Sequence, residues 1–240
     1  MPEIGGPANQ PTGVEGIEPP RSPHRKGQIM PVRKVVWRSS CHSRGYEPSI
    51  KNGSPVPWES RPERLLINLL ELSPWVVSYE AQPTFESLDV DGEPSSYVPD
   101  VLAKYRDGSE VFYEVKPVAR LRVAKVSARM AAAKRHFVAT GRLFGIVTDE
   151  WLFTEPRATN IERLMYHRRE PLTALEKFAL QSALSSARPR TIRDLICVVG
   201  ASEAWRLLGL GVVGVHLELS LNSSTSIYLE GGHRHEKLCA

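Results

Sequence analysis

Two apolar runs, SYVPDVLAKY at 96–105 and EVFYEVK at 110–116, stand on either side of an Asp107-Gly108 pair. Each run is rich in β-branched and aromatic residues, and the pair between them is a tight-turn signal. Strands joined so closely run antiparallel and side by side, which brings Asp100 near Glu114. Glu114 and Lys116 are two residues apart on one strand, so their side chains leave the same face. Two carboxylates and an ammonium therefore gather around one point, and any fold for this chain must accommodate them.

Regular structure is expected from about Trp58 onward. WESRPERLLINLLELSP reads as a helix in which Ser60 is the N-cap, Pro62 lies in the first turn and Glu63 completes a capping box. Leu66, Leu69 and Leu70 give the helix an apolar face, and Ser73-Pro74 stops it. Strand-like runs follow at 84–90, 96–105, 110–116 and 143–148, with Asp91-Gly92 turning the first into the second, so the first three read as a meander. Between the last two runs lies a helix over about 120–139, striped by Val126, Met130, Ala133 and Phe137. Arg122, Lys125, Arg129 and His136 fall mainly on another of its faces. Helix, three strands, helix, strand is an α/β arrangement with a crossover helix before the last strand. After Glu155-Pro156 the pattern changes. Thr173 with Glu176 opens a helix to about Ala187, Thr191 with Asp194 opens another, and Ser202 caps a third that ends at Gly209. Strand-like runs at 212–220 and 225–230 follow, and three helices before a hairpin is the element order of a winged helix-turn-helix.

The chemistry implied by the carboxylate pair is specific. Two acids at one point repel each other unless a cation lies between them, and oxygen donors of this kind suit Mg²⁺ or Mn²⁺. The backbone carbonyl of Val115 is a further oxygen. Lys116 can orient a water or offset charge on a phosphorane-like transition state. Phosphodiester hydrolysis needs these parts, and from Val115 to Thr148 the chain carries eight Arg and Lys residues and no acid, which suits a DNA backbone. A third carboxylate is offered upstream by Glu63, which shares a helix face with Ile67 and Leu70, or by Glu59. The capping box alone also accounts for Glu63, and an exposed strand with alternating Glu and Lys is the plain alternative for the whole set.

Composition narrows the classes. The net charge of +4 matters less than its distribution: residues 46–155 carry 13 basic and 16 acidic side chains, so an acidic cluster lies beside the acid-free stretch, and cations and a polyanion can be held together. Residues 1–45 are rich in Pro and Gly and carry seven basic against three acidic residues. They read as a disordered basic arm, either a solubilising tail or a contact to phosphates. Three widely spaced cysteines (Cys41, Cys197, Cys239) fit a reducing cytosol and no disulfide framework. No apolar run reaches the length of about 18 residues that spanning a membrane requires. The opening MPEIGGPANQPTGVEG lacks the basic and apolar regions of a secretion signal.

ESRPERLLINLLELSPWVVSYEAQP, followed by Tyr97-x-Pro99-Asp100 and then Glu114-Val115-Lys116, resembles the TnsA-type endonuclease domain of the PD-(D/E)xK restriction-endonuclease-like nucleases. The Gln82-Pro83 pair, the lead-in GYEPSIKNGSPVPWES and Thr148-Asp149-Glu150 belong to the same resemblance, which covers about residues 44–150. It implies a restriction-endonuclease-like core, a mixed sheet flanked by helices, over 46–155. A winged helix-turn-helix that contacts DNA or partners is implied over 156–240, where the likeness is looser. It also implies one subunit of a heteromeric bacterial transposase, cutting the non-transferred strand at the 5′ ends of a transposon in the cytoplasm, on the nucleoid. A DDE-type partner transposase would cut and join the 3′ ends, and an AAA+ regulator would contact the C-terminal part. Mg²⁺ is the implied cofactor, with Mn²⁺ able to substitute. Glu63, Asp100 and Glu114 are then the metal ligands, joined by Val115, and Lys116 is the catalytic lysine. No P-loop or DDE core stands in this chain, so those activities belong to other chains.

Two other readings stay open: a restriction- or resolvase-type nuclease of the same superfamily, and a non-catalytic DNA-binding adaptor. Lys125, Arg129 and Arg122 are the expected phosphate contacts of the basic helix. Arg190 and Arg193, with Arg168, Arg169 and Arg188, form a second basic patch that either binds DNA or is a solvated surface. His233 and His235 with Cys239 read as a solvated tail, Gly209, Gly211 and Gly214 as turn and packing glycines, and Trp58 and Trp75 as core.

Overall fold

The computed structural model describes residues 43–168, 170–236 and 238. Most of the expected N-terminal arm, with Cys41 and His42, and also Arg169 and Cys239, lies outside the described residues. A short antiparallel ribbon, β1 (Gly45–Glu47) with β2 (Val56–Trp58), leads into α1 (Arg61–Leu72). Ser60 caps α1 as expected, its hydroxyl accepting from the Glu63 backbone N–H at 3.3 Å, and Pro62 fits the first turn, where no N–H is needed. From Leu65 to Leu72 every residue of α1 is buried, Asn68 and Glu71 included.

The main sheet is mixed, with strand order β3-β6-β7-β8. Its strands are β3 (Val76–Ala81), β6 (Val101–Tyr105), β7 (Glu110–Lys116) and β8 (Leu143–Thr148). β6 pairs antiparallel with both β3 and β7, while β7 pairs parallel with β8. The parallel pair requires a crossover, supplied by α2 (Val118–Leu121) and α3 (Ala124–Ala139). As an inner strand covered on both faces, β7 feeds two apolar clusters by simple alternation. Val111, Tyr113 and Val115 join the cluster around α1, and Phe112 joins the one formed with Met130, Ala133 and Phe137 of α3. Glu114 and Lys116 share parity with Phe112 and so lie on the α3 side of the sheet. This mixed sheet flanked by helices fits a restriction-endonuclease-like core.

The expected meander differs in two ways. β4 (Glu86–Val90) and β5 (Glu93–Tyr97) form a hairpin of their own, outside the main sheet. The single run expected at 96–105 breaks at Val98-Pro99-Asp100, because Pro99 has no N–H to donate to a ladder. The hairpin is fastened to α3 instead, since Glu86 accepts from both Arg142 Nη atoms (2.7 and 2.8 Å) and stands 2.8 Å from His136 Nε2. The place beside β6 is taken by β3, which periodicity did not reveal. A register shift between Val76 and Ser78 interrupts its alternation.

Beyond β8 the chain is helical: α4 (Asp149–Leu152), α5 (Arg157–His167), α6 (Ala174–Ala187), α7 (Ile192–Val199) and α8 (Ala201–Leu210). Both expected capping boxes, Thr173/Glu176 and Thr191/Asp194, are present. α8 begins after Gly200 rather than at a Ser202 cap, and it runs through Gly209 to end at Gly211, whose φ is 71°. Gly209 stays helical because α8 lies directly on α5, where an added Cβ would sit 2.7 Å from the Arg168 backbone nitrogen. The runs expected as a wing meet through isolated bridges rather than continuous strands: Gly214 with Tyr228, and Ser226 with Thr191 ahead of α7. No helix among the described residues is long and apolar enough to cross a membrane.

This last third is bound to the mixed-sheet core by buried charge. Glu71 of α1 has no exposed side chain and accepts from Ser49 Oγ (2.8 Å), the Ile50 N–H (3.0 Å), the Tyr79 hydroxyl (2.8 Å) and Arg168 Nη2 (2.6 Å). Arg168 also donates to the Gly209 carbonyl at 2.9 Å, so one guanidinium links α1 to α8. At the other end of α5, buried Arg157 reaches Glu218 at 3.2 Å and stacks 3.7 Å over the Trp151 ring. The C-terminal histidines are not a solvated tail. His233 is fully buried and accepts from the Val215 N–H at 3.3 Å, while His235 is nearly buried and meets Trp75 edge-on at 5.0 Å. Carbonyl and N–H bonds from Arg234 to 215–217 hold this segment down.

Two stability predictions follow from these buried groups. Arg168→Ala leaves Glu71 without its ion partner, and a loss on the order of 3–5 kcal/mol in unfolding free energy is expected by urea denaturation. Burial pushes the His233 imidazole down to about 4, so between pH 6.5 and that value the unfolded chain takes up a proton that the native fold refuses. Native stability is therefore lost as the pH falls through this window, by up to about 3 kcal/mol from this group. Replacement by glutamine should flatten that slope in urea melts at pH 7, 5.5 and 4.5.

Candidate active site

The core carries its charged residues where strand alternation and a proline break leave them. Asp100 directly precedes β6, and its backbone carbonyl accepts from the Gln82 N–H at 2.9 Å. Gln82 follows β3 in a left-handed conformation (φ 50°), which turns the chain away after that bond. Asp100 Oδ2 accepts from the Val115 N–H at 2.8 Å, a side chain spanning to the neighbouring strand. This bond fixes the aspartate beside the Glu114-Val115-Lys116 segment of β7. Glu114 is 3% exposed. One of its oxygens is paired with Lys116 Nζ, and the other accepts from the Tyr97 hydroxyl at 2.7 Å. Lys116 Nζ lies 3.9 Å from Asp100 Oδ2 and donates to the Val115 carbonyl at 3.2 Å.

The expected trio of Asp100, Glu114 and Lys116 is thus brought together, with the Val115 carbonyl beside it. Glu63 of α1 and Glu59 line the same cleft, whose volume is about 530 Å³. Glu63 is close enough for its charge to act on both Asp100 and Lys116. Its oxygens are engaged, however: Oε1 accepts from Ser60 Oγ and Oε2 from the Glu59 N–H, both at 2.8 Å. Capping and cleft-lining, which the sequence left as alternatives, are both properties of this one side chain. Among the described residues no three His, Cys, Asp or Glu side chains already stand together as a metal set.

The electrostatics match this crowding. Burial first, and the Glu114 charge second, hold the Asp100 carboxyl well above the usual carboxylate range, with Glu63 adding to the rise. Burial likewise raises Glu63, offset in part by the hydrogen bonds from Glu59 and Ser60. Lys116 is opposed by burial, yet Asp100, Glu114 and Glu63 together hold its ammonium above the ordinary lysine value. Burial and then the Glu114 charge push up the Tyr97 phenol, which remains a donor. Three acids facing one lysine make a site short of positive charge, and their oxygen donors fit a hard divalent cation.

The predicted phosphate contacts separate into two places. Lys125 and Arg129 of α3 line the cleft together with Phe85, Tyr97 and Met130. Arg129 is exposed, donates to the Ser96 carbonyl at 2.6 Å and lies 5.7 Å from the centre of the Tyr97 ring. Arg122, at the end of α2, is exposed but does not line the cleft. Arg190 lines a separate groove between α6 and residues 226–230, and Arg193, which does not line it, donates to Ser223 Oγ at 3.3 Å. Sequence reasoning missed the hydroxyl of Tyr97 and the aromatic face of Phe85, which is 54% exposed at the mouth of the cleft. The only signal for Tyr97 was its place three residues before Asp100.

No curated protein matches the chain. A family model described as TnsA-like endonuclease N terminal matches residues 73–149. Glu63 lies upstream of the matched stretch, and α5 to α8 lie beyond it. The segment that holds Asp100, Glu114 and Lys116 is thus a match to the TnsA-like endonuclease N-terminal domain, in agreement with the resemblance carried by its motifs.

Proposed function

We propose that the chain is the DNA-cleaving subunit of a TnsA-like transposase, a divalent-cation-dependent endonuclease that cuts the non-transferred strand at the 5′ ends of a transposon. The observation that carries this reading is the convergence of Asp100, Glu114 and Lys116 in one cleft walled by the basic helix α3. Asp100, Glu114 and the Val115 carbonyl would hold Mg²⁺ or Mn²⁺, and Glu63 would join them by giving up its cap. Such a cation supplies an activated water and neutralises phosphate charge. Lys116, whose Nζ stands beside both carboxylates, would donate to the scissile phosphate or orient the attacking water. Lys125 and Arg129 grip the adjoining phosphates, and Arg122 extends the contact along the backbone.

In this reading the last third acts as a winged helix that contacts DNA and protein. The Thr191–Ser226 and Gly214–Tyr228 bridges, following three helices, support that topology. α8 packs on α5, and its Arg206 is paired with Glu176 and Glu203. DNA contact therefore falls to Arg190, Arg193 and the 222–226 loop rather than to α8. Leu175 (79% exposed) and Phe178 (74% exposed) give α6 an apolar face suited to the DDE-type transposase or the AAA+ regulator. The protein then works in the bacterial cytoplasm, on the nucleoid.

The test is cleavage of transposon-end DNA by the full chain with its partner subunits, in Mg²⁺ and in EDTA. Cleavage should require Mg²⁺ and fall by about 10² or more in Lys116→Ala, whose circular dichroism should be unchanged. Metal-independent cutting, or an active Lys116→Ala, would sink the proposal. A second outcome separates this site from a structural ion pair. Because Asp100 is held above the usual carboxylate range, the native fold loses stability as the pH rises from that ordinary range to the raised value, where the loss levels off. Asp100→Asn should therefore abolish cleavage yet raise the Tm of the metal-free protein at pH 7, by about 2–4 °C for each kcal/mol relieved.

A further inference from the structure

Glu114 has two oxygens and three rotatable side-chain bonds. With Lys116 as its only partner, the carboxylate would be free to swing with the flexible ammonium. The Tyr97 hydroxyl, 2.7 Å from Oε2, is the second anchor, and it comes from outside the main sheet. Tyr97 is 3% exposed and ends β5, directly opposite Glu86 of β4. Three separate contacts hold it. Its ring lies edge-on between Phe137 (6.5 Å) and Phe144 (6.4 Å). The hairpin carrying it is clamped through Glu86 to Arg142 and His136. Arg129 bonds the Ser96 carbonyl and covers the ring. A phenylalanine would meet the packing demand of this position equally well, so the hydroxyl is there for the carboxylate.

We infer that Tyr97 is a positioning residue, whose hydroxyl holds the Glu114 carboxylate in the orientation that receives the divalent cation. The inference rests on the nuclease reading and deepens it, by making the β4–β5 hairpin part of the metal site. The hairpin, unlike β7, owes its place to side-chain clamps rather than to a sheet ladder. The affinity of the site for a cation is therefore set in part from outside the sheet that carries the ligands.

The test uses the full-length chain stripped with EDTA and titrated with Mn²⁺ alone by calorimetry, with thermal melts in EDTA beside it. Tyr97→Phe keeps the ring and removes only the oxygen. Tyr105→Phe is the control, since it removes a hydroxyl paired with Tyr113 at 2.7 Å, at the far end of β6. Tyr97→Phe is expected to weaken Mn²⁺ binding by about tenfold. Its cleavage rate should recover most of the wild-type value at saturating Mn²⁺, placing the defect in metal affinity rather than turnover. Tyr105→Phe should leave Mn²⁺ binding unchanged whatever it does to the melt. Equal Mn²⁺ affinity in wild type and Tyr97→Phe, with only the melting temperature altered, would reduce the hydroxyl to a structural bond and overturn the inference alone. A wild type that binds no Mn²⁺, with and without DNA, would overturn the nuclease reading and this inference with it.

Discussion

Repulsion between Asp100 and Glu114 is the constraint around which the core is organised. Two carboxylates are not brought side by side in a largely water-excluded cleft without a cost, and the neighbouring groups bear it. One strand supplies both Glu114 and the Lys116 that partly neutralises it. The Val115 N–H, on the same strand, holds Asp100. β7 alternates between two apolar clusters, and Glu114 and Lys116 emerge at its C-terminal end, where Lys125 and Arg129 of α3 line the cleft. The residual imbalance, three acids against one lysine, is one that a purely structural ion pair would avoid.

Glu71 is the counterexample within the same molecule. It too is a buried carboxylate, but hydroxyls, backbone N–H groups and a guanidinium surround it, drawn from residues 49–51, Tyr79 and Arg168. Where Asp100 is left under-satisfied, Glu71 is satisfied from several sides, so the first stores electrostatic tension and the second removes it. Both hang on elements that also carry the site: Glu71 lies two turns beyond Glu63 on α1. Holding α1 in place from its C-terminal end fixes where its N-terminal carboxylate meets the cleft.

Much of this arrangement was legible in the sequence because it rests on local rules. The hairpin joining Asp100 to Glu114 follows from alternation and an Asp-Gly turn, and the starts of α1, α6 and α7 follow from their capping residues. What was hidden depends on contacts distant in sequence. The β4–β5 hairpin looks like any two strands, and only Glu86 meeting Arg142 and His136 takes it out of the meander. α5 contains Arg157 and Asn160, residue types that composition assigns to the surface, yet both are buried and bonded to the C-terminal segment. His233 looked solvated for the same reason. The meeting of Asp100, Glu114 and Lys116 was readable from spacing, whereas the Tyr97 hydroxyl was not, because a tyrosine and a phenylalanine are equivalent in any hydrophobic pattern.

The linkage of α5 to α8 through Gly209 and Arg168 bears on how this chain can be divided. The cluster of buried apolar residues around α1 continues without a gap into α5, α7, α8 and the segment at 213–227. A fragment ending near residue 155 would strip the cover from one side of α1 and leave Glu71 facing solvent without its guanidinium. The stretch that matches the TnsA-like domain is therefore not a portable cassette. A chimera that moved it to a new targeting module would need to carry α5 and α8 along, and a graft of the C-terminal part onto another nuclease would need an α1 bearing an acid at the position of Glu71.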